Sequence, residues 1–151
     1  MRKILVCEDE DVIRDFVDVY KRQHRAIIRK EEVPLFRERP DKVSQFVADL
    51  LDFFIGGYLK SYKMAEGPLH DPCAIAALID PAMFTTYDAY ITVEVEGEHS
   101  RGATMTDLRP EGLRTHEVNG KVAMNIDREK YLQMLVSACE ALAKRLEGGA
   151  K

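Results

Sequence analysis

The stretch from Pro40 to Tyr62 constrains the fold most. Pro40 and Asp41 open it, and Val43, Phe46, Val47, Leu50, Leu51, Phe54, Ile55 and Tyr58 then recur at the i, i+3, i+4, i+7 spacing of an amphipathic helix. Gly56 and Gly57 weaken the helix toward its end. A stripe this wide is stable only when buried against a sheet or another helix. The rest of the chain must therefore supply a layer to cover it.

Candidate partners are legible on both sides. Residues 2–7 read as a short buried strand, followed by the acidic run Glu8 to Asp11 and a helical pattern carrying Val12, Ile13, Phe16 and Val17. Residues 73–79 form a short apolar helix. Tyr90, Thr92 and Glu94 alternate with Ile91, Val93 and Val95, a strand ended by Gly97, and a second strand runs through residues 102–106. Asn119-Gly120 between residues 115–118 and 121–126 predicts a hairpin. Asp127 caps a last helix with apolar positions Tyr131, Met134, Leu135, Ala138, Leu142 and Leu146, ended by Gly148-Gly149.

Bulk properties exclude several classes. A chain of 151 residues with 46% hydrophobic and 32% charged side chains has the balance of one globular domain. A net charge of -4 and the lack of a basic run argue against nucleic acid or an anionic membrane as partner. Cys7, Cys73 and Cys139 are odd in number and lack metal-like spacing, which argues against a disulfide framework or a zinc site and fits a reducing cytoplasm. Neither a signal segment nor a bilayer-length apolar run is present.

The most informative tripeptide is His70-Asp71-Pro72, after a turn at Gly67-Pro68 and ahead of the apolar helix. With Pro72 at the first helical position, Asp71 falls where an N-cap stands, and capping is its plain structural reading. A lone histidine is likewise more often structural than catalytic. Phe54, Tyr58 and Tyr62 stand at i, i+4, i+8 on one side of the preceding helix, for which core packing is the plain reading.

Four ordered segments change that balance. The run from Gly67 to Ala76, Asp80-Pro81-Ala82-Met83-Phe84, Val93-Glu94-Val95-Glu96-Gly97, and the run from Arg101 to Asp107 together resemble the C-terminal region of inosine-uridine preferring nucleoside hydrolases. The resemblance extends over about residues 24–146 and is strongest over 50–107. It implies an α/β fold, specifically the C-terminal portion of an open, mostly parallel sheet with flanking helices. It also implies hydrolysis of the N-glycosidic bond of a small-molecule ribonucleoside, in a cytoplasmic enzyme that is a homo-oligomer.

On that resemblance Asp71 is a ligand of an active-site calcium and His70 is the group that protonates the leaving base. Hard oxygen ligands suit calcium, and an imidazole titrates near physiological pH, so both assignments make chemical sense. Tyr58 and Tyr62 match a segment that folds over the base and contributes aromatic contacts. The run 101–107 reads as sheet rather than site. The family's aspartate-rich motif after its first strand has no counterpart here, so the calcium site is expected to be incomplete and the chain alone inactive. Apolar faces that pack on the missing strands are expected to be exposed.

Residues 1–17 instead resemble the opening of a response-regulator receiver domain, with Glu8 and Asp9 as the acidic pair after strand one. The alternative function is therefore phosphorelay signalling. Residues 18–23, Asp18-Val19-Tyr20-Lys21-Arg22-Gln23, are what GAT GTG TAT AAG AGA CAG encodes, the end sequence of transposase adaptors used in sequencing libraries. That implies an artefactual junction between residues 1–17 and a nucleoside-hydrolase region at 24–151. The plain alternative for this junction is an ordinary polar helix.

Overall fold

A computed structural model describes residues 25–148. The strand and helix expected over residues 2–17, and the junction at 18–23, lie outside the described residues. Strand β1 (Ile27–Arg29) is followed by a 3-10 turn (Lys30–Glu32) and the short helix α1 (Pro34–Arg37). The long helix α2 (Lys42–Tyr62) leads to strand β2 (Glu66–Pro68) and helix α3 (His70–Ile79). Strands β3 (Phe84–Val93), β4 (Thr104–Asp107) and β5 (Gly120–Ile126) precede the last helix, α4 (Arg128–Gly148).

The helix starts follow from local chemistry. The Asp41 carboxylate accepts from the Ser44 backbone N–H at 2.7 Å, capping α2. Asp127 does the same for Lys130 at 3.2 Å, capping α4 as expected. Helix α2 runs through Gly56 and Gly57 to Tyr62 and ends on Lys63, whose φ of 60° is left-handed. Its buried face is Ser44, Ala48, Leu51 and Ile55, whereas Phe46 and Leu50 of the expected stripe are 62% and 50% exposed.

The α/β class stands, but the expected mostly parallel pairing does not hold for these strands. Among the described residues β1 pairs antiparallel with β2, and a second sheet of order β4-β3-β5 is antiparallel throughout. Strands β3 and β4 are joined by a short connection, which suits antiparallel neighbours, whereas a parallel pair needs a crossover of a dozen or more residues. Residues 115–118 form no strand, so the Asn119-Gly120 hairpin is also corrected. Asn119 instead takes a ladder position beside β3. Its side chain accepts from the Ile91 N–H and donates to the Ile91 carbonyl, both at 2.8 Å, and Gly120 begins β5 opposite Ala89.

Two apolar clusters form the core. One gathers Ala26, Cys73, Ala76, Met83, Ile126 and Tyr131 beneath α3, and the other gathers Ile28, Val33, Phe36, Ala48, Leu51 and Ile55 beneath α2. Leu69 and Leu135 pack against both, so the residue immediately before His70 sits where the clusters meet. Ion pairs tie the periphery: Arg37 reaches Asp49 at 2.9 Å and Asp52 at 2.8 Å, Arg39 pairs with Glu140, and Arg128 pairs with Glu32.

Candidate active site

The position of His70 is set by the backbone of Leu69. Pro68 ends β2 and has no N–H, so Leu69 is the first donor after the strand, and it donates to the Ala26 carbonyl at 2.7 Å. The Leu69 carbonyl accepts from the Tyr131 hydroxyl at 2.9 Å and from the Cys73 thiol at 3.2 Å. Ala26 just before strand β1, helix α4 and the first turn of α3 thus hold one residue from three sides.

His70 is the first residue of α3 and is half-buried. Its Nε2 is fully buried and has no hydrogen-bond partner among the described residues. Asp71 lies in the first turn with an exposed side chain, and no side chain caps the helix. The capping reading of Asp71 is therefore corrected: Leu69 occupies the N-cap position and Pro72 stands third in the helix. Pro72 costs nothing there because the first four N–H groups of a helix have no intrahelical partner.

Helix α2 supplies the opposite wall. An open cleft of about 490 Å³ lies between Leu50, Leu51, Phe53, Phe54 and Tyr58 on one side and residues 68–72 on the other. The spacing of four residues stacks the aromatics along α2: Phe54 and Tyr58 have centroids 4.9 Å apart at 59°, and Tyr58 and Tyr62 are 5.2 Å apart at 37°. Tyr58 therefore shares the cleft with His70 and Asp71. Tyr62 continues the stack outward, 52% exposed, and does not line the cleft.

Gly67 makes this wall possible. It lies in β2, not in a free turn, and a Cβ there would stand 2.7 Å from Cδ1 and 2.8 Å from Cε1 of Phe54. Only a residue without a side chain lets the ring lie against the strand. Leu50, Phe53 and Leu69 also line the cleft, although the sequence placed Leu50 only in the helix stripe and Leu69 only in the turn before His70, and did not mark Phe53. Leu50, Phe53 and Phe54 do share i, i+3, i+4 spacing, which was the available signal.

The largest carboxylate shift lies elsewhere. Hydrogen bonds from the Arg109 guanidinium hold Asp107 at about 2, and Asp107 does not line the cleft. Among the described residues no group of three or more His, Cys, Asp and Glu side chains could hold a metal ion. Calcium takes about 6–8 oxygen ligands, and Asp71 supplies one carboxylate, so the described residues do not by themselves fit a calcium site.

An apolar, aromatic-walled cleft ending on an imidazole and a carboxylate is a site for a small molecule with a flat face and a few polar groups. The family model described as inosine-uridine preferring nucleoside hydrolase matches residues 7–133, and the chain belongs to that family. The match begins inside the receiver-like segment, and the comparisons give the receiver resemblance no support. A pyrimidine-specific ribonucleoside hydrolase, RihA, of Shewanella woodyi is 35% identical over 122 residues, which is 80% of this chain and 38% of the relative. The RihA of Klebsiella pneumoniae is 39% identical over 114 residues, 74% of this chain and 36% of the relative.

The fold comparison agrees. The solved purine-preferring ribonucleoside hydrolase from Gardnerella vaginalis superposes with a TM-score of 0.66 at 27% identity, covering 86% of this chain and 44% of that one. The chain thus spans between a third and a half of the length of the relatives it matches. Among the described residues no helix is long and apolar enough to cross a membrane.

Proposed function

We propose that this chain is the leaving-group half of a ribonucleoside hydrolase site, in which His70 protonates the departing base and Asp71 is one of the calcium ligands. The observation that carries the reading is the buried, unpartnered Nε2 of His70 on the wall of an aromatic cleft. An unsatisfied buried polar atom costs about 1–3 kcal/mol, so a fold keeps one where a ligand or substrate atom pairs with it. A purine or pyrimidine ring offers a nitrogen or oxygen to such a donor and a flat face to Tyr58, with Tyr62 extending the aromatic surface. Protonating the base makes it a neutral leaving group, and a positioned acid contributes roughly 10²–10⁴-fold.

Further calcium ligands have to come from outside residues 25–148, and because the sequence carries no counterpart of the family's aspartate-rich motif, the chain alone is inactive on this reading. The intact enzyme is proposed to be a cytoplasmic homo-oligomer. The division into residues 1–17, 18–23 and 24–151 accompanies it as a proposal, which the codons of the underlying DNA at 18–23 test.

The test is a chimera in which residues 24–146 replace the matching segment of the Shewanella woodyi relative, assayed on inosine and uridine. Hydrolysis that falls by roughly 10²-fold or more with His70→Ala supports the assignment. Hydrolysis indifferent to both His70→Ala and Asp71→Ala refutes it. In parallel, calorimetry with calcium and a reducing-sugar assay on the chain alone are expected to give neither binding nor turnover.

A further inference from the structure

Among the described residues no side-chain hydrogen bond or ion pair holds the His70 ring, and its buried Nε2 is unpartnered. An imidazole free at its far end takes its direction from the backbone that carries it. The His70 N–H and the Leu69 carbonyl belong to one planar peptide group. Whatever fixes that carbonyl therefore also places the His70 Cα from which the ring departs.

Three hydrogen bonds reach Leu69, and they are not equivalent. The Leu69 N–H donates to the Ala26 carbonyl at 2.7 Å, but it belongs to the preceding peptide group and leaves the next one free to turn about φ and ψ. The Cys73 thiol reaches the carbonyl at 3.2 Å, but it is a weak donor that belongs to α3 and moves with it. The Tyr131 hydroxyl donates to the same carbonyl at 2.9 Å from helix α4, 62 residues away in sequence. Its ring is buried in the cluster that holds Ala26, Cys73, Ala76, Met83 and Ile126. Of the three, this bond ties the peptide before His70 to a second, packed element.

The start of α3 has little else to define it. Leu69 stands at its N-cap with φ -103° and ψ 69°, away from the extended backbone that an N-cap ordinarily takes, and no side chain caps the helix. A phenol from α4 supplies from outside the anchor that a capping side chain would have supplied locally.

We propose that Tyr131 is a positioning residue for hydrolysis: its hydroxyl, acting through the Leu69 carbonyl, fixes the direction of the His70 imidazole on the wall of the cleft. The positioning stands on the hydrogen bond and the unheld ring; only its effect on turnover rests on the proposed function. Tyr131 itself does not line the cleft. A catalytic group has to be held within about 0.5 Å and 10–20° by what lies behind it, and a misplacement of about 1 Å costs up to roughly 10²-fold.

The experiment records proton–nitrogen correlation spectra of the full chain, labelled with nitrogen-15 in its histidine rings, at neutral pH. His70 is identified by the signals lost in His70→Gln, and the exposed His99 and His116 serve as internal references. Tyr131→Phe is expected to shift and broaden the His70 ring signals as the imidazole samples more than one direction. Adding Cys73→Ala should broaden them further, with His99 and His116 unmoved. Ala143→Gly weakens the same helix at a buried position away from Leu69, and it should leave His70 as it was. In the chimera with the Shewanella woodyi relative, Tyr131→Phe should lower kcat about tenfold with KM unchanged. His70 signals indifferent to Tyr131→Phe, or moved as much by Ala143→Gly, overturn the proposal. So does a chimera that loses turnover with His70→Ala but keeps it with Tyr131→Phe. A chimera indifferent to His70→Ala, in a chain whose His70 ring still answers to Tyr131→Phe, leaves the positioning standing and removes the hydrolase reading instead.

Discussion

Tyr131, near the start of the last helix, donates its hydroxyl to the Leu69 carbonyl at 2.9 Å, and Leu69 is the residue before His70. The phenol is almost wholly buried, at 1% exposure, so this bond forms in the core where its loss is not repaired by water. Through it, the C-terminal helix fixes where α3 begins.

Tyr131→Phe keeps the ring and deletes the bond. Stability should fall by about 0.5–1.5 kcal/mol, the net worth of one buried hydrogen bond, with the Cys73 thiol still on the same carbonyl. Tyr131→Ala should cost about 3–5 kcal/mol, because it also empties one core cluster. Urea denaturation followed by circular dichroism measures both, and a Phe variant as stable as the unsubstituted protein would show that the hydroxyl contributes nothing.

Gly67→Ala places a methyl group against the Phe54 ring at 2.7 Å, a distance that forces movement. The ring is half-buried and stacked on Tyr58, so it cannot swing aside without opening the cleft wall. Overpacking of this kind costs about 1–3 kcal/mol. Pairing the change with Phe54→Leu should restore most of the loss, which thermal melts of the single and double variants would read.

How much of this was legible in the sequence differs element by element. The period of α2 and its opening at Asp41 could be read because both depend on neighbours along the chain. Which arc of α2 is buried could not, because the apolar stripe was wider than the contact. The small Ser44 and Ala48 lie on the buried arc, where Leu132, Val136 and Cys139 of α4 pack against the same cluster, and the large Phe46 is left outside. Asn119-Gly120 was misread for a similar reason. Its local turn signal lost to a bond with Ile91, 28 residues away. Family resemblance was the reason to group His70 with Tyr58, and both line one cleft, whereas the buried state of His70 Nε2 depends on packing that no spacing encodes.

Glu32 and Arg128 pair across 96 residues, joining the turn after β1 to the start of α4. Burial pushes the Glu32 carboxyl up, but hydrogen bonds from Arg128 and from the Arg29 N–H, with their charges, bring it below its ordinary 4.5. A carboxyl lowered in the folded state stabilises above its unfolded pKa, and that contribution is lost as pH falls through the folded value. Glu32→Gln should therefore cost about 1–2 kcal/mol at neutral pH and progressively less as the pH falls below 4.5. Urea midpoints of both proteins across that range are expected to converge on the acid side; parallel curves would mean the pair contributes no pH dependence.

His70→Leu exchanges a ring with an unsatisfied buried nitrogen for an apolar side chain. Stability should stay level or rise by up to about 1 kcal/mol, since the removed group contributes desolvation cost without a bond. The same substitution in the chimera should abolish nucleoside hydrolysis. A destabilisation of more than about 1 kcal/mol would show that the imidazole is held by a structural partner, and its assignment as proton donor would lose its main support.

Asp41 and Asp71 stand near the starts of two helices and separate capping from a charge held for something else. The Asp41 carboxylate accepts the Ser44 N–H at 2.7 Å, and that backbone bond is the main reason its carboxyl sits below the ordinary value. Asp71 has no side-chain hydrogen bond or ion pair among the described residues, and its helix begins before it. Asp41→Ala should therefore destabilise the chain measurably, and the loss should persist in high salt because a short hydrogen bond is removed. Asp71→Ala should cost only a few tenths of a kcal/mol, the worth of an exposed charge in a first helical turn, and that loss should vanish at about 1 M salt, where the screening length is about 3 Å. Denaturation of both variants at low and high salt decides the matter. A salt-resistant loss at Asp71 comparable to that at Asp41 would return Asp71 to a structural cap and remove it from the site.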